Sequence, residues 1–320
     1  TLEPLGRNVA EWIAQELAGT RLVDIVDPAT AYAVTHDLGL GLRAGPARNR
    51  LRDAARRTGA GIVVSGSYHR QGDSLRFDAW ITDVSRGELL AGVGPYLAEA
   101  DDPLPAIEAL HDRVAGALAM KLDPRLEFMG ALGGPPPRYA AYEAWMRGVE
   151  AFGRMDFPAA IGDLQRAHAL DPSFATPLIW MALAFANAGM WEEVEGLVGR
   201  SADARAGLGT FDQHFADVIE AWLRGRIPAQ YEAARRMVEV APNSEIALVL
   251  LAQAALMIDR PRETIETLER VDLERIPVDF QHWIAVTHGE ALHLMGDYGA
   301  QLELARRLRA DRPGNPGLIN

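Results

Sequence analysis

The chain has 320 residues, 48% of them apolar and 24% charged, proportions of a folded globular protein rather than a disordered one. Its net charge of −12 argues against general nucleic-acid binding, which needs a basic face. It contains no cysteine, which removes disulfides, thiolate nucleophiles and zinc–thiolate sites together.

The length favours two domains. No apolar stretch approaches the ~18 residues that a membrane-spanning helix needs, and no signal-like segment opens the chain. Beginning at Thr1 and closing on "PGNPGLIN", it reads as a portion of something longer.

Val9, Trp12, Ile13 and Leu17 share one face of a helix predicted over 5–18 and ended by Gly19. "RLVDIV" (21–26) is predicted as a short strand stopped by Asp27-Pro28. A small helix over 29–36, a Gly/Pro loop at 39–46 and a helix over 47–58 follow. Residues 62–70 and 75–84 alternate in polarity and are predicted to pair through Gln71-Gly72-Asp73-Ser74. A second turn at Ser85–Glu88 leads into a strand over 89–97. Asp102 is predicted to cap a helix over 103–121. The first 122 residues therefore read as an α+β domain with a small sheet, and residues 123–137, rich in glycine and proline, as a linker.

Beyond the linker a period emerges. Pro172, Pro242, Pro277 and Pro313 fit one repeat of about 35 residues with a single proline missing near Gly207. A turn marker runs in phase at Asp156, Gly189, Gly225, Asp259 and Gly296, so each unit reads helix, turn, helix, stop. Gly148, Ala151, Ala160, Leu164, Ala167 and Pro172 fill the small and large slots of the first unit. Gly289, Leu292, Gly296, Tyr298, Ala305 and Pro313 fill those of the last. In these residues the chain resembles the tetratricopeptide repeat (TPR) family, over five units spanning 139–313. The resemblance implies an all-α solenoid over 138–320, with Gly148 and Ala160 buried where paired helices touch. Gln230, where a small residue is expected, makes the third unit the weakest match, and "PGNPGLIN" reads as the start of a further unit.

The first domain carries a second resemblance. Gly66-Ser67, Arg70, Gly72-Asp73, Leu75-Arg76, Asp83 and Gly87-Glu88 resemble the TolB amino-terminal-like domain over about residues 5–121, without that family's first strand. A TolB-like domain followed by TPR units is similar to the C-terminal portion of membrane-anchored bacterial regulators. There a serine/threonine kinase, an adenylate cyclase or a winged-helix domain precedes a transmembrane segment. The resemblance implies a sensor or docking role in signal transduction on the extracytoplasmic (periplasmic) side, with a cytoplasmic place left open. Any membrane link would run through an upstream segment.

Chemical motifs are few. Lys121 is the only lysine, so neither a Gly-Lys-Ser/Thr phosphate loop nor a kinase-type strand lysine can be built. His288 and His293 in "HGEALH" stand five apart, about 140° around a helix, unlike the four-residue spacing of metalloprotease ligands. Arg48, Arg52 and Arg56 share a helix face, read as solvated because no aromatic residues interleave for base stacking. Asp78, Asp83 and Glu88 lack a histidine or nucleophile at useful spacing. No catalytic residue, metal or cofactor is expected.

The remaining candidate is the concave groove implied by the repeat resemblance. Its lining slots fall at Tyr142, Trp145, Val149 and Phe152, at Asp212, Phe215, Ile219 and Trp222, and at Trp283, Val286, Glu290 and His293. Tyr142, Trp145, Phe152, Phe215, Trp222, Trp283 and His293 are the predicted partner-binding set, facing the apolar side of a protein or peptide segment such as an amphipathic helix. The same aromatics could equally pack as core or against the first domain. A small-molecule regulatory domain with its ligand between the two domains is the alternative function.

Overall fold

The computed structural model describes residues 3–20, 22–39, 48–130 and 132–311. The chain divides into two compact units. One comprises Thr1–Asp123 with Pro136–Tyr142, the other Pro124–Pro135 with Glu143–Asn320.

In the first unit, α1 (Glu3–Thr20), α2 (Pro28–Asp37) and α3 (Arg48–Thr58) precede β1 (Ile62–Gln71), β2 (Ser74–Asp83) and β3 (Glu88–Glu99), and α4 (Leu104–Leu122) follows. The strands form an antiparallel meander in the order β1-β2-β3, with Ile62 opposite Asp83 and Ser74 opposite Glu99. Strand β2 shows why it lies in the centre. Leu75, Phe77, Ala79 and Ile81 are all buried, and the strand period of two sends them to one face. That row joins Ile13 and Leu17 of α1 and Ile107, Leu110, Val114 and Leu118 of α4 in one core. Arg76 and Asp78 point to the opposite face and are joined by a bidentate ion pair at 3.0 and 3.2 Å. The β2–β3 turn is held by Asp83, whose Oδ1 accepts from the main-chain N–H groups of Ser85 and Arg86.

Two local expectations fail. Residues 22–26 form no strand, because the sheet stops at β1 and leaves them no ladder to join. Asp102 does not cap α4. Pro103 occupies that position with no side-chain cap, and the N–H of Asp102 donates to Glu99 O. The Gly/Pro loop expected at 39–46 lies outside the described residues but for Gly39.

Among the described residues the second unit has ten α-helices, α5 (Tyr139–Gly153), α6 (Phe157–Leu170), α7 (Thr176–Asn187), α8 (Trp191–Ala204), α9 (Thr210–Leu223), α10 (Ile227–Val240), α11 (Glu245–Met257), α12 (Pro261–Leu268), α13 (Gln281–Leu294) and α14 (Tyr298–Asp311). The boundary between the units falls inside α5. Each odd-numbered helix from α5 onward runs into a left-handed residue that turns the chain into its partner. These are Met155 (φ 61°), Gly189 (74°), Gly225 (64°), Asp259 (59°) and Gly296 (74°). Four of the five coincide with the predicted turn markers, and the first lies one residue earlier. Gly148 is buried, and a Cβ there would stand 2.7 Å from Leu164 Cγ; the close approach of α5 and α6 therefore demands glycine. Ala160, Leu164 and Ala167 are fully buried across the same seam. Pro313 and the expected further unit lie outside the described residues.

The stretch expected to be a linker is structured in part. Pro124–Met129 forms a 3-10 helix with Leu126, Phe128 and Met129 buried. Those apolar side chains explain the difference: they find a hydrophobic site in the second unit, to which 124–135 belongs.

Candidate functional site

The predicted groove residues lie in different surroundings. Phe152 sits at the hub of an aromatic cluster. It meets Trp180 edge-on at 5.5 Å and stacks on Phe280 and Trp283, each at 6.2 Å. Trp180 in turn meets Phe215 edge-on at 5.7 Å. The cluster thus unites α5, α7, α9 and α13, so the first repeat touches the fifth and the inner face closes on itself. Trp145 is fully buried, edge-on to Phe174 at 5.5 Å. Tyr142, also fully buried, belongs to the first unit and donates its hydroxyl to Asp123 Oδ2 at 2.7 Å. Trp222 and Trp283 are half-buried. His293 is exposed on α13, beside Tyr298 and Gln301.

Of the seven, then, Phe152, Phe215 and Trp283 are gathered, and Tyr142, Trp145, Phe152 and Phe215 are buried by the chain's own packing. Sequence reading missed Trp180, Phe280 and Phe128. Trp180 carried a signal, since it falls one period after Trp145. Phe280 lies just before its helix, and Phe128 lies outside the repeats altogether.

A further set of residues lines the N-terminal ends of α9, α11 and α13, and it holds the chain's own segment 126–134. Phe128 packs on Phe280 at 5.3 Å. The guanidinium of Arg275 donates to Glu127 O at 3.1 Å, the hydroxyl of Ser244 to Met129 O at 2.9 Å, and the Gly133 N–H to Asp212 Oδ2 at 3.2 Å. The segment therefore runs past the fifth, fourth and third repeats in turn, held by these main-chain hydrogen bonds and by its buried side chains Leu126, Phe128, Met129 and Leu132. Its glycines are where the approach is closest. A Cβ at Gly130 would stand 2.6 Å from Ser244 Cβ, one at Gly133 2.9 Å from Gly209 Cα, and one at Gly134 2.8 Å from Gly207 O.

The fasteners are themselves held. Ser244 is the N-cap of α11, accepting from the Ala247 N–H. Arg275 also bonds Glu245 Oε1 at 2.9 Å and Asn243 O at 3.3 Å. Glu245 is 3% exposed, and its second oxygen has no partner. Burial pushes its carboxyl above the usual range, while the charge of Arg275 pulls the other way.

Solved structures of tetratricopeptide repeat proteins resemble this chain. One is TTC0263, a thermophilic TPR protein of Thermus thermophilus. It has 16% identity and a TM-score of 0.40 over 56% of this chain and 95% of that one. PilW, a type IV pilus biogenesis factor, has 13% identity and a TM-score of 0.32, covering 56% and 96%. The TPR domain of P58(IPK) has 12% identity and a TM-score of 0.29, covering 56% and 62%. No family model and no curated protein matches the chain.

At such scores the repeat character rests on the chain's own helix pairing and turn spacing. Among the described residues no group of three or more His, Asp or Glu could hold a metal ion, and no helix is long and apolar enough to cross a membrane. The site offers hydrogen bonds to main-chain groups, a buried apolar seat for Leu126, Phe128, Met129 and Leu132, and close walls at Gly130, Gly133 and Gly134.

Proposed function

We propose that the chain is a non-catalytic protein-docking module, the sensor or docking portion of a bacterial regulatory protein. One observation carries this reading. Side chains of the third and fourth repeats, Asp212, Ser244 and Arg275, bind main-chain groups of a segment 79 to 148 positions distant in sequence. A surface that grips backbone in this way is suited to protein segments rather than to a small molecule. The TolB-like character of the first unit, an upstream kinase, cyclase or winged-helix effector, and an extracytoplasmic setting belong to the same proposal. They rest on the motif Gly66-Ser67, Gly72-Asp73 and Gly87-Glu88. Binding would then act on the effector by position, without chemistry in this chain.

The test is photo-cross-linking from position 243 or 274, both exposed and adjoining Ser244 and Arg275, in extracts of the organism that encodes the chain. A discrete protein adduct, competed by unlabelled chain, supports docking. Absence of any competed adduct from both positions goes against it.

A further inference from the structure

We infer that segment 126–134 is a built-in ligand of the solenoid, occupying the site at which a partner's segment of like chemistry docks. The inference rests on the docking reading above and specifies its place, its ligand and its control. Leu126, Phe128, Met129 and Leu132 supply the apolar anchors. Glu127 O, Met129 O and the Gly133 N–H are the main-chain groups bound by Arg275, Ser244 and Asp212. Glycine is required where the walls press closest, at 130, 133 and 134. The partner's segment is accordingly apolar and aromatic, followed by closely spaced glycines, in the manner of Leu-x-Phe-Met-Gly-x-Leu-Gly-Gly.

The segment is anchored by side chains and main-chain bonds but ends exposed, at Gly133, Gly134 and Pro135. Being covalently attached, it competes at an effective concentration on the order of millimolar. A partner at ordinary concentration docks only when the segment is loosened. The solenoid is thus closed by its own chain, and release of 126–134 is the event that opens it.

The probe is a fluorescein-labelled peptide of residues 124–135, titrated into the full chain and followed by anisotropy. In the Phe128→Ala/Met129→Ala double variant the internal competitor is weakened, and the peptide is expected to bind at least tenfold more tightly than to the unaltered chain. Adding Arg275→Gln to that variant should reverse the gain. Equal binding to the unaltered chain and the double variant would overturn the inference.

Should the double variant not fold, hydrogen exchange on the unaltered chain decides. Millimolar unlabelled peptide should speed exchange of the 126–134 amides while α9 and α11 stay protected, and unchanged exchange would overturn the inference. Failure here leaves docking at another face to the cross-linking experiment. Success here with no cross-linked protein removes the docking reading but keeps the built-in ligand.

Discussion

The hydroxyl of Ser244 donates to the main-chain oxygen of Met129 at 2.9 Å, across 115 positions of sequence, and also accepts the Ala247 N–H at 3.3 Å. One buried side chain thereby caps α11 and fastens segment 126–134. Ser244→Ala removes a helix cap, worth ~1 kcal/mol, and leaves the Met129 carbonyl without that donor, at ~1–3 kcal/mol. The expected loss is about 2–4 kcal/mol, read as a lower urea midpoint with an unchanged slope. A shift corresponding to under ~0.5 kcal/mol would mean that water replaces the hydroxyl at both places.

Gly148 lies where α5 and α6 approach most closely, with Leu164 Cγ 2.7 Å from where its Cβ would be. Gly148→Leu should overpack this seam and cost ~1–3 kcal/mol, seen as a lower thermal midpoint. Gly162, whose Cβ would meet nothing within 4 Å, is the control. Gly162→Ala should be neutral or stabilising by up to ~1 kcal/mol, because alanine is the better helix former.

Met155 takes the left-handed conformation (φ 61°) that glycine takes at 189, 225 and 296. It is 39% exposed, so little packing is lost on its removal. Left-handed backbone disfavours a side chain by roughly 1–2 kcal/mol, partly offset by the greater freedom of glycine in the unfolded chain. Met155→Gly should therefore stabilise the protein by about 0.5–1 kcal/mol in chemical denaturation. A destabilised variant would show that the Met155 side chain contributes more than its exposure implies.

Glu245 tests the polar fasteners through pH. Its carboxyl is raised in the folded chain, first by burial and against the opposing pull of Arg275. A raised folded value means that its stabilising contribution is complete below the unfolded pKa of about 4.3 and is lost as pH climbs through the folded value. Glu245→Gln should match the unaltered chain near pH 4 and exceed it progressively toward pH 7. The reading is the difference in urea midpoints across that range, which cancels the opposite slopes of lowered carboxyls such as Asp83. A glutamine variant that is less stable at pH 7 would show that attraction to Arg275 outweighs the cost of burial.

Much of the architecture was legible because it is local. Alternation of Leu75, Phe77, Ala79 and Ile81 marks a strand with one buried face. The recurrence of Gly189, Gly225, Asp259 and Gly296 marks where one helix must turn back on another, since few conformations allow that reversal. What periodicity reports is which side of an element is apolar. It does not report what covers that side. Trp145, Phe152 and Phe215 occupy the same slots whether they face a partner or each other, and closure of the first repeat onto the fifth is what buries Phe152 against Phe280 and Trp283. Segment 124–135 carried the composition of a linker, and nothing within it signalled a binding site assembled from residues 79 to 148 positions away. Short-range patterns were enough for the repeats, their turns and the sheet, because each depends on residues a few positions apart. Occupancy of the solenoid by its own chain was decided in three dimensions, where Arg275, Ser244 and Asp212 meet the main chain of one 3-10 turn and the residues after it.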